Sequence, residues 1–487
     1  MAPNPHPGPG EETLDAVVVG GGPGGAVAAL CLARSGRRVA VLERETGPHF
    51  HVGESLLPEV EADLARLGLA ERAAALPRVP KPGVTFVSAA GTAPGRPLRF
   101  ADALDADPQA ATNTEREPFD AWLLQEAADG GADVRRGVTV RGIERLGSGG
   151  VRLSTTQGPV SARCLIDASG QATLAARHLE RAGRGFRRNE PGHERTAYFG
   201  HFTGVERSPM PEGGHLTVVM LDEGWFWIIP IDDERTGIGV VLPAGLAREQ
   251  RVKPDRVLAW AIARCPEVAR RTRDAAFPDG NRVAADFSYR CGPTAGPGHL
   301  LVGDAAAFID PVFSGGVSIA IKSGRWAAEA AEASLAALDR LPADASDAAR
   351  AAAFRAPGRR YARRLAASHR VLFSMIRSYY RPAYRDLLHH GEGPLGVHRA
   401  SLELLTGRAF PRARFSVRWR MVLMKAFACV QEHVRLVPPL PRWSLVDDGV
   451  GGAPAAGPAD GPAVAETRPP AEPPAQGRGR IVSSASR

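Results

Sequence analysis

Cysteine is scarce in this chain and follows no pattern. Only 5 of the 487 residues are cysteine, and no two of them form a C-x-x-C pair. Structural metal sites and disulfide frameworks depend on clustered cysteines. We therefore expect no metal site and no disulfide framework, and we expect the protein to work in the reducing environment of the cytoplasm.

Long apolar runs are also missing. We find no stretch of about 18 consecutive apolar residues, the length that spans a bilayer, so we expect no membrane span. The start, "MAPNPHPGPGEET", lacks the basic and apolar regions of a secretory signal. Aromatic residues make up only 6% of the chain and do not interleave with a basic stripe, so we expect no nucleic-acid partner.

Positive charge, in contrast, is in excess. The formal net charge is +8, and arginine supplies most of the positive charge. Either these side chains solvate the surface, or they form a basic face that attracts an acidic partner protein. Hydrophobic residues make up an ordinary 44%, and a chain of this length is expected to fold into two or three packed lobes.

Composition and periodicity divide the chain into four regions. Residues 1–13 form a predicted disordered lead, and residues 446–487, rich in Gly, Ala, Pro and Glu, form a predicted disordered tail. Residues 14–325 carry strand and helix patterns in alternation, whereas residues 326–445 are mainly helical in pattern. We find no internal repeat.

A glycine-rich turn near the start has the pattern of a dinucleotide site. The segment "LDAVVVGGGPGGAVAALCLARSGRRVAVLERE" reads as strand, turn, helix and strand, with Gly20, Gly22 and Gly25 in G-x-G-x-x-G spacing. The first glycine permits the tight turn, the second lets a pyrophosphate approach the backbone, and the third allows close helix packing. Glu43, followed by Arg44, ends the second strand and can bond a ribose hydroxyl. The alternative is a chance glycine turn.

A second Gly-Asp segment lies far along the chain, in "HLLVGDAAAFIDPVFSGGVSIAIKSG". It resembles that of FAD-dependent oxidoreductases of the aromatic-hydroxylase type, in which Asp304 would bond the ribityl chain of FAD. Arg116, in "EREPFDAWLLQEA", matches an arginine that these proteins place near the flavin. The segment "IDASG" resembles the strand that closes their FAD-binding domain. Taken alone, Asp304 could be a helix N-cap and Arg116 a surface ion pair.

This resemblance implies a particular α/β fold. We expect an FAD-binding Rossmann-type domain of the aromatic-hydroxylase type, an inserted β-sheet substrate domain formed from about 80–110 and 190–290, and a helical C-terminal region. The predicted FAD contacts are Gly20, Gly22, Gly25, Glu43, Arg44, Ser55, Arg116, Val140, Asp304, Gly316 and Val317.

Two tryptophans alternate in the segment "LDEGWFWIIPID". Side chains alternate between the two faces of a strand, so Trp225 and Trp227 share one face, and a buried strand of large residues would explain them. The pattern W-x-W-x-I-P also resembles the signature of flavin-dependent halogenases. In that family the tryptophans form a wall that keeps an organic substrate away from the flavin. The segment "GESLLP", with Glu54 and Ser55, resembles the loop beside the flavin, and "PKPGVTF" resembles the segment that carries an essential lysine, here Lys81.

The resemblance implies the chemistry as well. FAD in its reduced form, FADH2, would react with O2 to a flavin hydroperoxide, which oxidises chloride or bromide to hypohalous acid. The backbone at Ser314, Gly315 and Gly316 would hold the halide, because glycines expose the N–H groups at a helix N-terminus. Lys81 would then deliver the halogen to an electron-rich arene, by hydrogen bonding or as a haloamine. A single dinucleotide fingerprint further implies a separate flavin reductase.

The sequence departs from the tryptophan-acting branch at one position. Phe313 stands where that branch has a glutamate before the halide-loop serine. We therefore expect a phenol or pyrrole as substrate, chlorinated in natural-product (antibiotic) biosynthesis. The C-terminal helical region resembles that of assembly-line halogenases, so we expect the substrate on an acyl or peptidyl carrier protein, with a free arene as the alternative. The basic residues predicted to face the carrier are Arg412, Arg414, Arg418, Arg420 and Lys425.

Three other functions remain open at the level of sequence. An FAD-dependent aromatic hydroxylase (a monooxygenase) that uses NAD(P)H would share the fold but would not need Lys81 or the tryptophan wall. A flavoprotein reductase is a second alternative. A flavin-binding protein without turnover is a third, and it would be expected to lack the lysine or to have a broken halide loop.

Overall fold

The computed structural model describes residues 14–47, 50–104, 110–277, 280–390 and 393–446. The predicted disordered lead and the predicted tail from residue 447 onward lie outside the described residues. Contacts among the elements join the described residues up to Leu445 into one unit.

The strands are numbered in chain order. Within the described residues they are β1 (Leu14–Val19), β2 (Val39–Glu43), β3 (Val79–Lys81), β4 (Gly83–Ser88), β5 (Arg96–Arg99), β6 (Ala111–Asn113), β7 (Asp133–Arg136), β8 (Val140–Gly147), β9 (Gly150–Thr155), β10 (Val160–Asp167), β11 (Phe186–Asn189), β12 (Arg195–Thr203), β13 (Leu216–Met220), β14 (Trp225–Pro230), β15 (Arg235–Pro243), β16 (Arg282–Phe287), β17 (Tyr289–Gly292), β18 (Ala295–Gly296), β19 (His299–Leu301) and β20 (Ala307–Phe308).

The helices follow the same numbering. They are α1 (Pro23–Arg34), α2 (Pro58–Arg66), α3 (Ala70–Ala74), α4 (Arg116–Asp129), α5 (Leu174–Arg181), α6 (Leu246–Glu249), α7 (Val257–Ala263), α8 (Pro266–Arg271), α9 (Gly315–Asp339), α10 (Asp347–Tyr379), α11 (Pro382–His390), α12 (Val397–Leu405) and α13 (Phe415–Gln431). Short 3-10 helices lie at Phe100–Asp102, Gly170–Ala172, Glu212–Gly214, Pro254–Arg256, Gly303–Ala305 and Pro394–Gly396. Among the helices described, none has both the length and the apolar content needed to cross a membrane.

The first sheet is built on the parallel strands that the opening segment predicts. Its order is β18-β19-β10-β1-β2-β7, with β9 pairing β10 and β8 pairing β9. Strand β1 runs parallel to both β2 and β10, and it is almost wholly buried, as expected for a Val-rich strand covered on two faces. Helix α1 packs against α9 on this sheet. Gly24 and Gly324 permit the close contact, because a Cβ on Gly324 would lie 2.2 Å from the Gly24 carbonyl oxygen.

The second sheet carries the tryptophan strand. Its order is β16-β12-β15-β14-β13-β4-β5, and its pairs are antiparallel except for the parallel pair of β4 and β13. A two-stranded ribbon of β3 and β6 lies at the start of β4, and a three-stranded sheet of β11, β17 and β20 completes the β structure described. The predicted α/β architecture, a Rossmann-type parallel sheet with a second sheet and a helical C-terminal part, is confirmed.

Helix α9 crosses one of the predicted limits between regions of the chain. It runs without interruption from Gly315 to Asp339, so the predicted limit between residues 325 and 326 falls inside it. The apolar periodicity of this segment continues across the limit because one helix face packs on α1 while another packs on α10. The limits of the four regions otherwise stay a prediction.

Candidate active site

The three fingerprint glycines differ in what surrounds them. Gly20 has φ +101°, in the region that glycine adopts readily, and a Cβ there would lie 2.3 Å from the Ala168 carbonyl oxygen. A Cβ on Gly25 would lie 2.0 Å from the Gly20 oxygen, so helix α1 starts directly on the turn. Nothing lies within 4 Å of a Cβ on Gly22, which leaves open space in front of the helix N-terminus.

Glu43 lies across this turn at the end of β2. Its carboxylate accepts the Gly21 N–H at 2.5 Å and the Glu45 N–H at 2.9 Å. Arg44 has a largely exposed side chain whose Nε donates to Glu45 at 2.9 Å. Val140 begins β8, two residues after Val138, whose N–H donates to the Glu43 carbonyl at 2.9 Å. These predicted cofactor contacts therefore gather at the carboxyl end of β2.

Arg116 and Asp304 come together from distant parts of the chain. Arg116 is the first residue of α4, where it forms two hydrogen bonds to Asp120, at 2.7 and 2.9 Å, and a third to the Val52 carbonyl at 3.0 Å. Burial raises the pKa of Asp304 to about 6, and the positive charge of Arg116 opposes that rise. The pair places a cation and a buried carboxyl group with a raised pKa at one site.

The tryptophan strand β14 is buried along its whole length. The Trp225 and Trp227 rings lie 5.7 Å apart between centroids. The Trp227 ring lies directly over Gly239 of β15, where a Cβ would be 2.2 Å from its Cζ2 atom. The two rings thus form a continuous aromatic surface, which neighbouring strands fix by close contact.

The predicted halide loop is a tight turn at the start of α9. The Ser314 N–H donates to the Pro311 carbonyl at 2.8 Å, and Ser314 has φ +54°, an uncommon value for a residue other than glycine. Gly315 is buried, with a Cβ position 3.2 Å from Leu372 of α10, whereas Gly316 is exposed and faces open space. Val317 is buried in the first turn of the helix. The first N–H groups of a helix have no partner within it, so this turn is suited to an anion.

Asp310 connects the halide loop to the tryptophan strand. Its buried carboxylate accepts the Trp225 indole N–H at 3.1 Å and the Val312 N–H at 3.0 Å. The Tyr380 hydroxyl, just after α10, donates to the same carboxylate at 2.5 Å. Burial raises the pKa of Asp310, and these donors oppose the rise. Sequence reasoning missed this residue, although it directly precedes the proline of "DPVFSGG".

Lys81 is fully buried at the end of β3. Its Nζ donates to the Leu56 carbonyl at 2.7 Å and lies 5.3 Å from the centroid of the Phe100 ring. Burial lowers the pKa of Lys81 from 10.5 to about 7. A lysine with this pKa is present both as ammonium and as free amine near neutral pH, so it can donate a proton or act as a nucleophile.

Comparison with known proteins identifies the family. Residues 13–336 match the family model described as an FAD binding domain. A brominase of 1H-pyrrole-2-carbonyl-peptidyl-carrier protein from Pseudoalteromonas luteoviolacea is 33% identical over 325 residues, which cover 66% of this chain and 77% of the relative. The chain belongs to the flavin-dependent halogenases.

Two further matches agree with the family. A chlorinase of 1H-pyrrole-2-carbonyl-peptidyl-carrier protein from Pseudomonas fluorescens is 29% identical over 348 residues, covering 66% of this chain and 75% of the relative. The structure of the flavin-dependent brominase Bmp2 superimposes with a TM-score of 0.71 at 28% identity, covering 85% of this chain and 99% of that one. This halogenase is therefore an enzyme that uses FAD and a halide, as the sequence predicts.

The residues of the halogenase fit FAD. The open space at Gly22 meets the positive end of α1, which suits the pyrophosphate. The Ser55 hydroxyl, in the predicted flavin loop, is buried and has no hydrogen-bond partner in the described structure, so it has bonding capacity left for a ligand. Asp304 and Arg116 would hold the ribityl chain and the flavin edge, and the start of α9 would face the ring.

Sequence reasoning missed three buried polar residues of the halogenase site, namely His201, Asn113 and His215. Glu54, which was predicted beside the flavin, has its carboxylate 2.5 Å from the His201 Nε2 atom, and both groups are buried. Asn113 of β6 and His215, just before β13, lie beside the lysine strand and are also buried. A lone His or Asn carries no motif, and only the tertiary fold brings these two to Lys81.

The five basic residues predicted to face a carrier differ in exposure. Arg412, Arg414 and Arg418 are exposed. Arg420 is tied to the Leu395 carbonyl at 2.8 Å and Lys425 to the Ser374 hydroxyl, so these two bond within the chain. Exposed apolar side chains accompany the arginines, among them Phe415 at 78% and Val422 at 67% exposure. Phe415 therefore does not pack into the core.

Proposed function

We propose that this halogenase chlorinates an electron-rich pyrrole or phenol carried as a thioester on a carrier protein, with Lys81 as the residue that delivers the halogen. The observation that carries the proposal is the burial of Lys81 against a carbonyl and an aromatic ring, with a pKa near 7. An aromatic hydroxylase has no use for such a lysine, whose burial is costly.

Reduced FAD with O2 supplies the oxidising power that turns halide into hypohalous acid. The protein binds the halide, keeps the arene away from the flavin and directs the halogen to the substrate. The N–H groups that follow Ser314 hold the halide at the start of α9, and the Trp225 and Trp227 rings exclude the arene. Lys81 accepts the hypohalous acid by hydrogen bonding, or forms a haloamine with it, and so directs the halogen to one ring position.

The nature of position 313 supports a substrate other than free tryptophan. Phe313 packs edge-on against Tyr379, with ring centroids 5.5 Å apart, and is buried. An apolar ring at this point offers no carboxylate to an indole N–H. A phenol or a pyrrole is activated by its own heteroatom and needs less assistance from the protein.

The exposed surface around α13, defined by Arg412, Arg414, Phe415, Arg418 and Val422, supports a carrier-bound substrate. Mixed basic and apolar surfaces suit acidic carrier domains, because charge steers the encounter and apolar contacts hold the complex. This α13 surface is connected to the lysine. Helix α13 packs on α12, Arg399 of α12 bonds the Asp102 carbonyl at 2.9 Å, and Phe100 of the same 3-10 helix faces Lys81.

A cavity beside the α13 surface supports the same idea. Its volume is about 630 Å³, and its lining includes Glu61, Arg66, Arg408, Arg414 and Val417. The Glu61 carboxylate accepts the Thr112 hydroxyl at 2.9 Å, in the strand that pairs with β3. We propose that the pantetheine arm of the carrier enters here, one strand away from Lys81.

The proposal is tested with purified protein, FAD, a flavin reductase and an equimolar mixture of chloride and bromide. The probes are pyrrole-2-carboxylic acid, free and as a carrier-protein thioester, and the isotope pattern of the product shows which halogen was added. We expect chlorination of the thioester, with turnover that falls as salt is raised. Hydroxylated product without halogen would overturn the halogenase mechanism, and equal turnover of both forms would overturn the carrier.

A charge reversal tests the docking surface directly. Arg418→Glu is expected to raise KM for the carrier thioester several-fold and to leave turnover of the pantetheine thioester alone unchanged. Arg359→Glu, on an exposed position of α10, is the matched control. An equal effect of the two changes would remove the α13 surface from the proposal.

A further inference from the structure

Three buried polar atoms around the lysine strand have no partner. The Ser55 hydroxyl, the Asn113 Oδ1 atom and the His215 Nε2 atom make no hydrogen bond within the described structure. All three residues are at most 4% exposed. Buried polar groups are normally satisfied, so a group of unsatisfied atoms at a reactive side chain suggests that a ligand completes them.

The β3–β6 ribbon aligns Asn113 with Lys81. Lys81 pairs with Ala111 and Val79 pairs with Asn113, so the Lys81 and Asn113 side chains lie on the same face of the ribbon. The Asn113 Nδ2 donates to the Gly214 carbonyl at 2.9 Å, which holds the amide in place. A Cβ on Gly214 would lie 2.0 Å from the Pro80 carbonyl oxygen, so the segment that leads to His215 packs directly on the lysine strand.

The His215 ring is held at one nitrogen and unpartnered at the other. Its Nδ1 lies 2.8 Å from the Thr85 hydroxyl, and Gly83 makes room for the ring, because a Cβ there would be 3.0 Å from Nε2. Burial lowers the pKa of His215 to about 4. Among the charges that face it, Glu212 opposes this shift, whereas Lys81 and Arg99 add to it. The imidazole is therefore neutral at neutral pH.

We propose that His215 is a second catalytic residue of the halogenation, whose Nε2 accepts the proton that the arene ring loses. The inference rests on the proposed function. It supplies the acceptor that the site needs, since Phe313 replaces the carboxylate of the tryptophan-acting branch. A weak base is sufficient, because the cation formed when a halogen adds to an aromatic ring is a strong acid.

The halogenation step conserves both atoms and charge. The ring carbon forms a bond to the halogen of hypohalous acid while the oxygen–halogen bond breaks, and the Lys81 ammonium gives its proton to the departing hydroxide, which becomes water. The ring carbon then loses its proton to His215 Nε2. His215 passes that proton to the Lys81 amine, which is the stronger base. The sum converts arene and hypohalous acid into haloarene and water.

The test compares His215→Asn with Thr85→Val. Asparagine keeps a polar atom near the Nδ1 position but lacks the base, whereas Thr85→Val removes the hydrogen bond and keeps the imidazole. With pyrrole-2-carbonyl pantetheine thioester, we expect H215N to lower kcat by about 100-fold and to show a kinetic isotope effect with ring-deuterated probe. Hypohalous acid trapped by monochlorodimedone should stay at the wild-type level. A wild-type kcat without an isotope effect would overturn the role.

A second measurement does not depend on turnover. Nitrogen-15 histidine spectra of the wild-type protein, with H215N used to assign the signal, report which ring nitrogen carries the proton. We expect hydrogen on Nδ1, an unprotonated Nε2, and a higher His215 pKa in Lys81→Met. A proton on Nε2 throughout the titration, or no response to K81M, would overturn the inference. Failure of wild-type turnover would instead count against the proposed function, and the spectra would still decide the role of His215.

Discussion

At the scale of single residues, Lys81 lowers the stability of the fold in return for reactivity. Its ammonium is buried against the Leu56 carbonyl and the Phe100 ring, which replace only part of the hydration it loses. The folded-state pKa, about 7, lies well below the unfolded value of 10.5. The folded chain therefore resists protonation that the unfolded chain accepts, and stability rises with pH between these two values.

Lys81→Met is expected to abolish halogenation, to leave FAD binding intact and to stabilise the protein. Methionine keeps the apolar stem and removes the charge, so the gain in unfolding free energy is on the order of a few kcal/mol at pH 6 to 7 and shrinks toward pH 10. Product formation, bound-FAD absorbance and denaturant melts measure the three effects. Lys253→Met, at an exposed position, is the control and should change none of them. Normal halogenation by K81M would contradict the assignment of Lys81.

The two tryptophans are held in place by different interactions. Trp225 donates its indole N–H to the buried Asp310, whereas Trp227 is fixed by ring packing on Phe199 and Gly239. Removing the donor leaves a buried carboxylate short of one hydrogen bond. Trp225 is therefore a structural link to the halide loop as well as a part of the wall.

Trp225→Phe should cost about 1–3 kcal/mol of stability. It should also raise the halide concentration needed for half-maximal rate, because Asp310 accepts the Val312 N–H just before the halide loop. Trp227→Phe is the matched control and should affect stability less. Denaturant melts and the halide concentration at half-maximal rate measure the difference. Equal losses in both variants would show that the Asp310 bond does not couple wall and loop.

At the scale of elements, two glycines at the start of α1 have different roles: Gly25 permits close packing within the protein, whereas Gly22 leaves space for a ligand. Gly25→Ala would drive a methyl group into the Gly20 carbonyl, so we expect a destabilised protein. Gly22→Ala meets no protein atom within 4 Å, so we expect normal stability but weaker FAD binding. Melting curves of the apo-protein and FAD titrations distinguish the two. Unchanged FAD affinity in G22A would place the pyrophosphate elsewhere.

The first turn of α9 depends on helix α10. Gly315→Val would press on Leu372, displace the N–H groups at the helix start, and raise the halide concentration needed for half-maximal rate by roughly tenfold, the factor that corresponds to about 1.4 kcal/mol of lost binding. Adding Leu372→Ala should relieve part of this effect. If G315V has a normal halide requirement, the turn only caps the helix.

At the scale of the whole molecule, only one G-x-G-x-x-G stretch, Gly20 to Gly25, lies between a strand and a helix, and this predicts dependence on another protein. The other such stretch, at 391–396, follows helix α11 and lacks that context. The single fingerprint is used for FAD, which leaves no such motif for NAD(P)H. We expect NADPH alone to leave bound FAD oxidised over many seconds, and an added flavin reductase to restore turnover. Stopped-flow absorbance measures the bleaching. Rapid reduction by NADPH without a partner would favour the hydroxylase alternative.

The sequence alone predicts those features that depend on residues close together in the chain. The fingerprint of Gly20, Gly22 and Gly25, the tryptophan pair and the Gly-Asp segment are short motifs, in which the residues that act together are neighbours in the chain. Such motifs predict the α/β fold and the halogenase family, both of which are confirmed. The roles of Lys81 and of the halide loop follow from the same resemblance and stay predictions until the variants above are measured.

Only the tertiary structure determined the properties that depend on contacts between distant segments of the chain. Burial, which sets the pKa of Lys81, depends on Leu56 and Phe100 from other segments. The link from Trp225 to Asp310, the pairing of Glu54 with His201, and the placement of Asn113 and His215 beside the lysine strand each join residues far apart in the chain. No local pattern encodes these contacts, because hydrogen bonding and desolvation depend on distance in space, and only the packed sheets bring such groups together.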